Sequence, residues 1–234
     1  ALPATVTKIG ASAFENSTLE TLSIPDINAV KSIGARAFAG CAHISTPVFP
    51  SSMTSVPEGM YRGTGIETLE IPAWISAIDK AAFADCARLT CVKIPATVKS
   101  IGEEAFAGCD ALTQVECEST FPLQITPNVF SEQAYAAATL SVPSGFTSEY
   151  RNAEGWSNFA TVKEFTIPIN AGDIFRAGGV TYEVTSALTD SATVRARYCK
   201  TEGNPDRAKV MAANKAGYVG NVTIPATVAY QERA

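Results

Sequence analysis

The chain has 234 residues, a formal net charge of -5, and 18% charged against 46% hydrophobic residues. This balance excludes intrinsic disorder and leaves ample apolar material for a core. No apolar run approaches the roughly 18–20 residues that cross a bilayer, and the acidic balance argues against nucleic acid and anionic membranes as partners.

From the first residues the chain repeats itself. Related segments read LPATVTKIGASAF from Leu2, IPDINAVKSIGARAF from Ile24, IPAWISAIDKAAF from Ile71 and IPATVKSIGEEAF from Ile94, with a weaker copy, FPSSMTSVPEGMY, from Phe49. In each, an aromatic follows an isoleucine or valine by five residues: Ile9 and Phe14, Ile33 and Phe38, Val56 and Tyr61, Ile78 and Phe83, Ile101 and Phe106. A second constant places apolar residues at +0, +3 and +5, usually with proline at +6, as in Leu19/Leu22/Ile24/Pro25, Ile44/Pro47/Phe49/Pro50, Ile66/Leu69/Ile71/Pro72 and Leu89/Val92/Ile94/Pro95. In the fifth copy, Leu112/Val115/Cys117, Glu118 takes the place of proline. The period is 22 to 25 residues, inside the range of leucine-rich repeats.

The apolar triplet ends in period-2 alternation, the mark of a strand with one face inward. Proline just after it removes a ladder donor and ends the strand. Each repeat then returns through a V-x-x-I-G turn and an AF-x-x-C segment too short for a full helix. One repeat cannot bury its own apolar side, whereas stacked repeats can, with one short parallel strand per coil at about 4.8 Å spacing. The expected fold is therefore a repeat solenoid, mainly β with short irregular or helical returns, in which parallel strands form a right-handed stack.

Further on, Ile125 and Phe130 keep the five-residue spacing, and Leu140/Val142/Pro143 restore a strand ending. The stretch Thr147 to Val162 carries Tyr150, Trp156 and Phe159 at spacings suited to one helical face. Val162/Phe165/Ile167/Pro168 then closes a seventh strand. The bulky last coil, about 143–169, reads as a cap over the end of the core.

These motifs carry a family resemblance. IPATVKSIGEEAFAGCDAL, from Ile94 to Leu112, resembles the BspA-like leucine-rich repeat of bacterial cell-surface proteins. Val142 to Glu164 is similar to the terminal coil that follows such arrays, and Gly178 to Ser186 with Val222 to Tyr230 resembles an adjoining β module. The resemblance implies a secreted or surface-anchored protein, of a group in which some members are adhesins for host matrix proteins or other cells. Departures are local: Tyr61 and Thr64 stand where the motif has Phe and Cys, and the repeat from Ile24 has two extra residues before Val30.

The expected organisation is a leucine-rich-repeat solenoid over 1–169 and a small β-rich module over 170–234. Within the second, Val180 to Thr185 and Ala192 to Tyr198 alternate as strands, and Lys200 to Gly217 is either a loop or a short helix. Val222/Ile224/Pro225 re-enters the repeat phase. Both ends interrupt a repeat in mid-coil, so the chain reads as part of a longer array.

Candidate chemistry is sparse. Cys41, Cys86 and Cys109 each lie three residues after the repeat aromatic, and Cys117 replaces an inward isoleucine. Equivalent residues of adjacent coils lie about 5 Å apart, beyond the usual Cβ separation of a disulfide, so these cysteines read as small buried residues with free thiols. Cysteine-bearing coils have six residues from aromatic to the next apolar position, where other coils have five, which predicts a wider turn. No ligand spacing suits zinc. His43 is the single histidine and falls in a turn, no acidic pair is placed for acid–base work, and Gly178–Gly179 opens a strand and no phosphate loop. No catalytic residue, metal or cofactor is expected.

What remains is the sheet face opposite the core. The alternation places Thr21, Thr46, Thr68, Cys91, Gln114, Thr139 and Glu164 in one column and Ser23, Val48, Glu70, Lys93, Glu116, Ser141 and Thr166 in the other. Binding is expected at Thr21, Ser23, Thr46, Thr68, Glu70, Lys93, Gln114 and Glu116, although threonine is also simply a good strand residue. Trp74, in a coil turn after Pro72, is an exposed candidate that either anchors a partner or covers neighbouring aliphatics. The expected function is non-covalent recognition of a host extracellular-matrix protein, cell-surface protein or glycan by a monomer on the bacterial surface. The alternative is a stalk or spacer with no ligand of its own.

Overall fold

The computed structural model describes residues 3, 5–21, 24 and 26–165, together with the backbone of Ile174–Ala177, Val180–Ala187 and Ala192–Arg197. The chain divides into two units, Ala1–Glu164 and Phe165–Ala234. The elements of the first are β1 (Lys8–Ile9), β2 (Ser32–Ile33), β3 (Ser55–Val56), β4 (Thr68–Glu70), β5 (Ala77–Ile78), β6 (Cys91–Ile94), β7 (Ser100–Ile101), β8 (Gln114–Cys117), α1 (Glu132–Ala137), β9 (Thr139–Pro143), α2 (Thr147–Asn152) and β10 (Thr161–Phe165).

The main sheet has the order β10-β9-β8-β6-β4. From β4 to β9 the pairs are parallel, with Leu69 beside Val92, Val92 beside Val115 and Val115 beside Leu140. All four are buried, as are Ile66, Ile71, Leu89, Ile94, Leu112, Cys117 and Val142, so the +0, +3 and +5 positions form the core as the repeat predicts. Proline follows the core position in two coils, and Glu118, which replaces it in the third, donates its N–H to the carbonyl of Ile94 at 2.9 Å.

One strand expected from the repeat is not formed: residues 44–49 are irregular, and among the described residues the main sheet begins at β4. Here Pro47 lacks a donor, and Tyr61 takes the neighbouring main chain for itself. Its hydroxyl accepts from the Val48 N–H at 2.9 Å and donates to the Val48 carbonyl at 2.7 Å. Both ladder groups of Val48 are thereby consumed.

The return segments are more regular than the sequence suggests. The V-x-x-I-G stretches, expected as turns, pair as short parallel strands, β1 with β2 and β3 with β5 and β7. Extended residues stacked at one coil pitch meet in register whether or not they belong to the main sheet. The repeat aromatics form a third line. Phe14, Phe38, Tyr61, Phe83, Phe106 and Phe130 stack ring on ring, with successive centroids 5.7, 5.5, 5.8, 5.6 and 5.2 Å apart. Beside the rings, the N–H of each aromatic from Phe14 to Phe106 donates to a carbonyl of the following coil at 2.8–3.0 Å.

From Phe14 to Phe106 this third line has a left-handed residue on each side of every aromatic. Ser12, Arg36, Gly59, Ala81 and Glu104 precede it by two residues, and Asn16, Gly40, Gly63, Asp85 and Gly108 follow it by two, all with positive φ. Only asparagine, aspartate and glycine occupy the second set, the residues that tolerate this region best. At Gly108 space adds to conformation, since a Cβ there would lie 2.5 Å from Oδ1 of Asp85.

The C-terminal end of the stack is closed by aromatic residues. Tyr150, Trp156 and Phe159 are buried, but on two elements and not on one helix: α2 ends at Asn152, Gly155 turns at φ 75°, and Trp156–Asn158 forms a 3-10 turn. Phe159 packs edge-on against Phe130 at 5.2 Å, ending the ring ladder, and Trp156 Nε1 donates to the Leu123 carbonyl at 2.7 Å. The sequence reading missed α1, which Ser131 caps by accepting from the Ala134 N–H.

The second unit contains an antiparallel sheet of β11 (Ile174–Ala177), β12 (Val180–Ala187) and β13 (Ala192–Arg197), with Phe175 beside Tyr182 and Tyr182 beside Ala196. The two expected strands correspond to β12 and β13, and β11 is additional. Lys200 to Gly217 and the repeat phase from Val222 lie outside the described residues.

Replacing Tyr61 by phenylalanine restores the residue found in the five other coils of the ladder, yet it strips both hydrogen bonds from Val48. We expect Tyr61→Phe to lower the unfolding free energy by about 1–2 kcal/mol in urea titration. Unchanged stability would mean that residues 44–49 can pair with β4 instead.

Candidate functional site

The outward face of the main sheet is polar. Register sets Thr68, Cys91, Gln114 and Thr139 side by side as one column, and Glu70, Lys93, Glu116 and Ser141 as the next. Thr68, Glu70 and Gln114 are exposed, while Cys91, Lys93, Glu116, Thr139 and Ser141 are half-buried among their neighbours. Thr21 and Thr46 are exposed on irregular backbone, outside any strand, and Ser23 and Thr166 lie outside the described residues. Among the described residues the columns therefore hold from β4 onward and do not extend to Thr46 and Val48.

Charge on this face is organised around Lys93. Its Nζ lies 3.0 Å from Glu118, 3.4 Å from Glu116 and 4.0 Å from Glu70. The hydrogen bond that the ammonium donates to Glu118, with the charges of Glu118 and Glu116 behind it, raises it above the ordinary lysine value. Three carboxylates around one ammonium leave the patch net negative. Beside it is a shallow concavity lined by Glu70, Pro72, Ala73, Lys93, Pro95 and Glu118. Glu118 was not among the expected face residues, although its signal was visible as the proline position turned acidic.

Other charges bind coil to coil away from the sheet. Arg36 pairs with Glu15, Arg62 with Asp85 at 2.9 Å, Lys80 with Glu103 at 3.3 Å, and Arg88 with Glu67. Each partner lies one repeat away in sequence, so the period that builds the fold also aligns these charges.

The cysteine column is structural in geometry. Cys41, Cys86 and Cys109 are buried free thiols whose Sγ atoms donate to the carbonyls of Phe14, Tyr61 and Phe83, the aromatics of the preceding coils, at 3.0, 3.1 and 3.1 Å. Thr64, which replaces the cysteine in its coil, donates to the Tyr61 carbonyl at 2.8 Å. The wider turn appears as expected, because the N–H groups of Ile44, Leu89 and Leu112 close on the carbonyls of Cys41, Cys86 and Cys109. Hydrogen bonding to Cys86, then burial, pushes the Cys109 thiol up; burial does the same for Cys117, which receives the Tyr150 hydroxyl at 3.1 Å.

Among the described residues no group of histidine, cysteine, aspartate or glutamate is placed to hold a metal ion. His43 is exposed in its turn. Trp74 is also exposed, at 48%, and its Nε1 donates to the Pro50 carbonyl at 3.2 Å. It lies in the turn Ala73–Trp74, four residues after Glu70 in sequence.

Two measurements follow. With a thiol reagent in native buffer, Cys41, Cys86, Cys109 and Cys117 should stay silent and react only after unfolding, since all four are fully buried. Asp79 stands where Gly10, Gly34 and Gly102 follow the repeat isoleucine, and burial, with Glu58 nearby, raises its carboxyl above the ordinary value. The native state then holds this proton to higher pH than the unfolded state, so Asp79 subtracts stability above its folded value and none below its unfolded one. Asp79→Asn should therefore raise Tm at pH 7, and the gain should vanish near pH 3.

With the geometry in place, comparison with known proteins adds the family. A model of the BspA type leucine rich repeat region matches residues 1–90 and 76–175, in six copies. No curated protein matches the chain. Among solved structures, a leucine-rich repeat protein from Bacteroides ovatus is 18% identical, with 70% of this chain and 60% of that one covered and a TM-score of 0.37. A leucine rich cell surface protein from Faecalibacterium prausnitzii is also 18% identical, covering 69% of this chain and 70% of that one at a TM-score of 0.27. The match spans about 60% of the length of the first structure. Repeat spacing, the coil-on-coil ladders and the family model agree: the chain belongs to the BspA-type leucine-rich-repeat family.

Proposed function

We propose that this protein recognises a partner non-covalently through the outward face of its main sheet, as an adhesive repeat protein of the bacterial surface. The observation that carries the reading is the register itself. It sets Thr68, Glu70, Lys93, Gln114 and Glu116 on one continuous polar face across three strands. A stack of coils presents such side chains on a rigid frame, so little conformational freedom is lost when a partner docks. The partner is a host extracellular-matrix protein, a cell-surface protein or a glycan, bound by a monomer without a cofactor. Membership of a family whose solved relatives include a cell surface protein supports the location outside the cell.

A second reading is favoured by one observation. Lys93 already has its countercharges within the face, at Glu118 and Glu116, and aromatic side chains are missing from both columns. A face whose charges are satisfied internally suits a spacer that holds other modules away from the cell wall.

The two separate on one variant. Glu70→Gln, Lys93→Met and Glu116→Gln together neutralise the patch at surface sites, where stability should change by no more than about 1 kcal/mol. Attachment to immobilised matrix proteins and to whole cells should weaken about tenfold or more if the face binds. Attachment at the wild-type level supports the spacer.

A further inference from the structure

Three main-chain lines join the third coil to the fourth and the fourth to the fifth, and two of them stop together at the step before. In the return ladder the residue after the repeat isoleucine or valine donates to the preceding coil: Gly34 N–H to the Ile9 carbonyl at 2.9 Å, Asp79 to Val56 at 2.9 Å and Gly102 to Ile78 at 2.7 Å. Three positions earlier, Lys31, Ser76 and Lys99 donate to Thr7, Thr54 and Ser76 at 2.7–2.8 Å. The third coil, 50–71, has Pro57 at the first of these places and Thr54 at the second. Proline has no N–H to give to the Ile33 carbonyl. Thr54 makes no bond to the Lys31 carbonyl either, and β2 and β3 belong to separate sheets. A cleft of about 150 Å³ lies between them, with Lys31 and Ile33 on one wall and Met53, Thr54 and Pro57 on the other.

The main sheet is interrupted at the same step, since 44–49 form no strand beside β4. Charge follows the same division. Ion pairs join the first coil to the second through Glu15 and Arg36, the third to the fourth through Arg62 and Asp85, and the fourth to the fifth through Lys80 and Glu103. Among the described residues none joins the second to the third. What crosses is the aromatic line, in which Arg36, Phe38 and Gly40 donate to Glu58, Met60 and Arg62 at 2.6–3.0 Å. Beside it the Tyr61 hydroxyl holds Val48. Near the cleft only two single bonds span the step, from the Ser51 N–H to Asn28 Oδ1 at 3.1 Å and from Ser52 Oγ to the Val30 carbonyl at 2.9 Å. Ser51 and Ser52 are exposed, so water competes for both. The apolar core is continuous across the step, but apolar contact has no preferred direction, so it resists separation of the coils and not a small rotation.

We infer that this step is a hinge: the first two coils, tied to each other by β1 and β2, rock as one body about the aromatic line and open and close the cleft between β2 and β3. The polar face from β4 onward stays rigid, because the coils beneath it keep their ladders. Collective motion of this kind falls between microseconds and milliseconds. The inference stands apart from the recognition reading, since a hinge serves a binder and a spacer alike.

Paired spin labels on the whole chain read the motion. Cys91→Ser and Cys199→Ser are present in every variant, and the buried cysteines stay unlabelled. One labelled pair, Lys8→Cys with Ala77→Cys, spans three coil steps including the hinge, and the control, Ser55→Cys with Gln124→Cys, spans three steps without it. Both pairs lie roughly 15 Å apart along the stack, so their distance distributions compare directly. The first should be at least about twice as broad as the control. Pro57→Gly copies Gly34 and Gly102, and Pro57→Ala regains the N–H with less freedom in the unfolded chain. Closing the ladder in this way should narrow the first distribution to the control width and slow exchange of the Thr54 amide by about tenfold or more. The inference is overturned if the two pairs give equal widths in the otherwise native chain, or if both Pro57 variants leave the first pair as broad as before.

Discussion

A coil of this kind has no long helix or hairpin within it, so its main-chain polar groups must be satisfied by the coils above and below. Everything else depends on that hand-over. It holds along three lines at once: the main sheet, the short β1/β2 and β3/β5/β7 ladders, and the bonds beside the stacked aromatics. Three lines at a single pitch leave little room for choice. The ring centroids, 5.2–5.8 Å apart, follow the coil pitch, and the left-handed residues flanking each ring aim alternate N–H groups at the next coil. The cysteines join the same accounting, since each Sγ donates to a carbonyl of the preceding coil.

Where a coil departs from the pattern, the reason is a local competitor for a main-chain group. Tyr61 differs from its equivalents by one hydroxyl, and that oxygen claims both polar groups of Val48 and ends the main sheet one strand early. Glu118 differs from the usual proline by regaining an N–H, which bonds back to Ile94, and by bringing a carboxylate to Lys93. Trp74 stands where neighbouring coils have Ser52 and Thr97, donates to a different carbonyl, that of Pro50, and leaves its ring exposed. In a repeat protein each substitution can be compared with its neighbours in the same chain, and the surplus chemistry then marks the places where function is to be sought.

The core was legible in the sequence almost residue by residue. Apolar spacing named Ile66, Leu69 and Ile71 and their counterparts, and the aromatic spacing named every ring of the ladder except for the fact that the rings stack. The face was legible in part. Alternation set Thr68 beside Cys91 and Glu70 beside Lys93, because side chains on a strand must alternate. It failed at Thr46, because alternation assumes a paired, extended chain and the neighbouring main chain at Val48 is engaged by Tyr61. Helix α1 was missed because Glu132–Ala137 is too short to show a period.

The sequence by itself determined the coil, its period, its inward residues and the order of its polar face, since these follow from recurrence and strand geometry. The tertiary structure decided where the main sheet stops, which carboxylates surround Lys93, and that the cysteine thiols donate to carbonyls of the preceding coil. Those outcomes depend on side chains meeting across coils, at distances that repeat spacing alone does not contain.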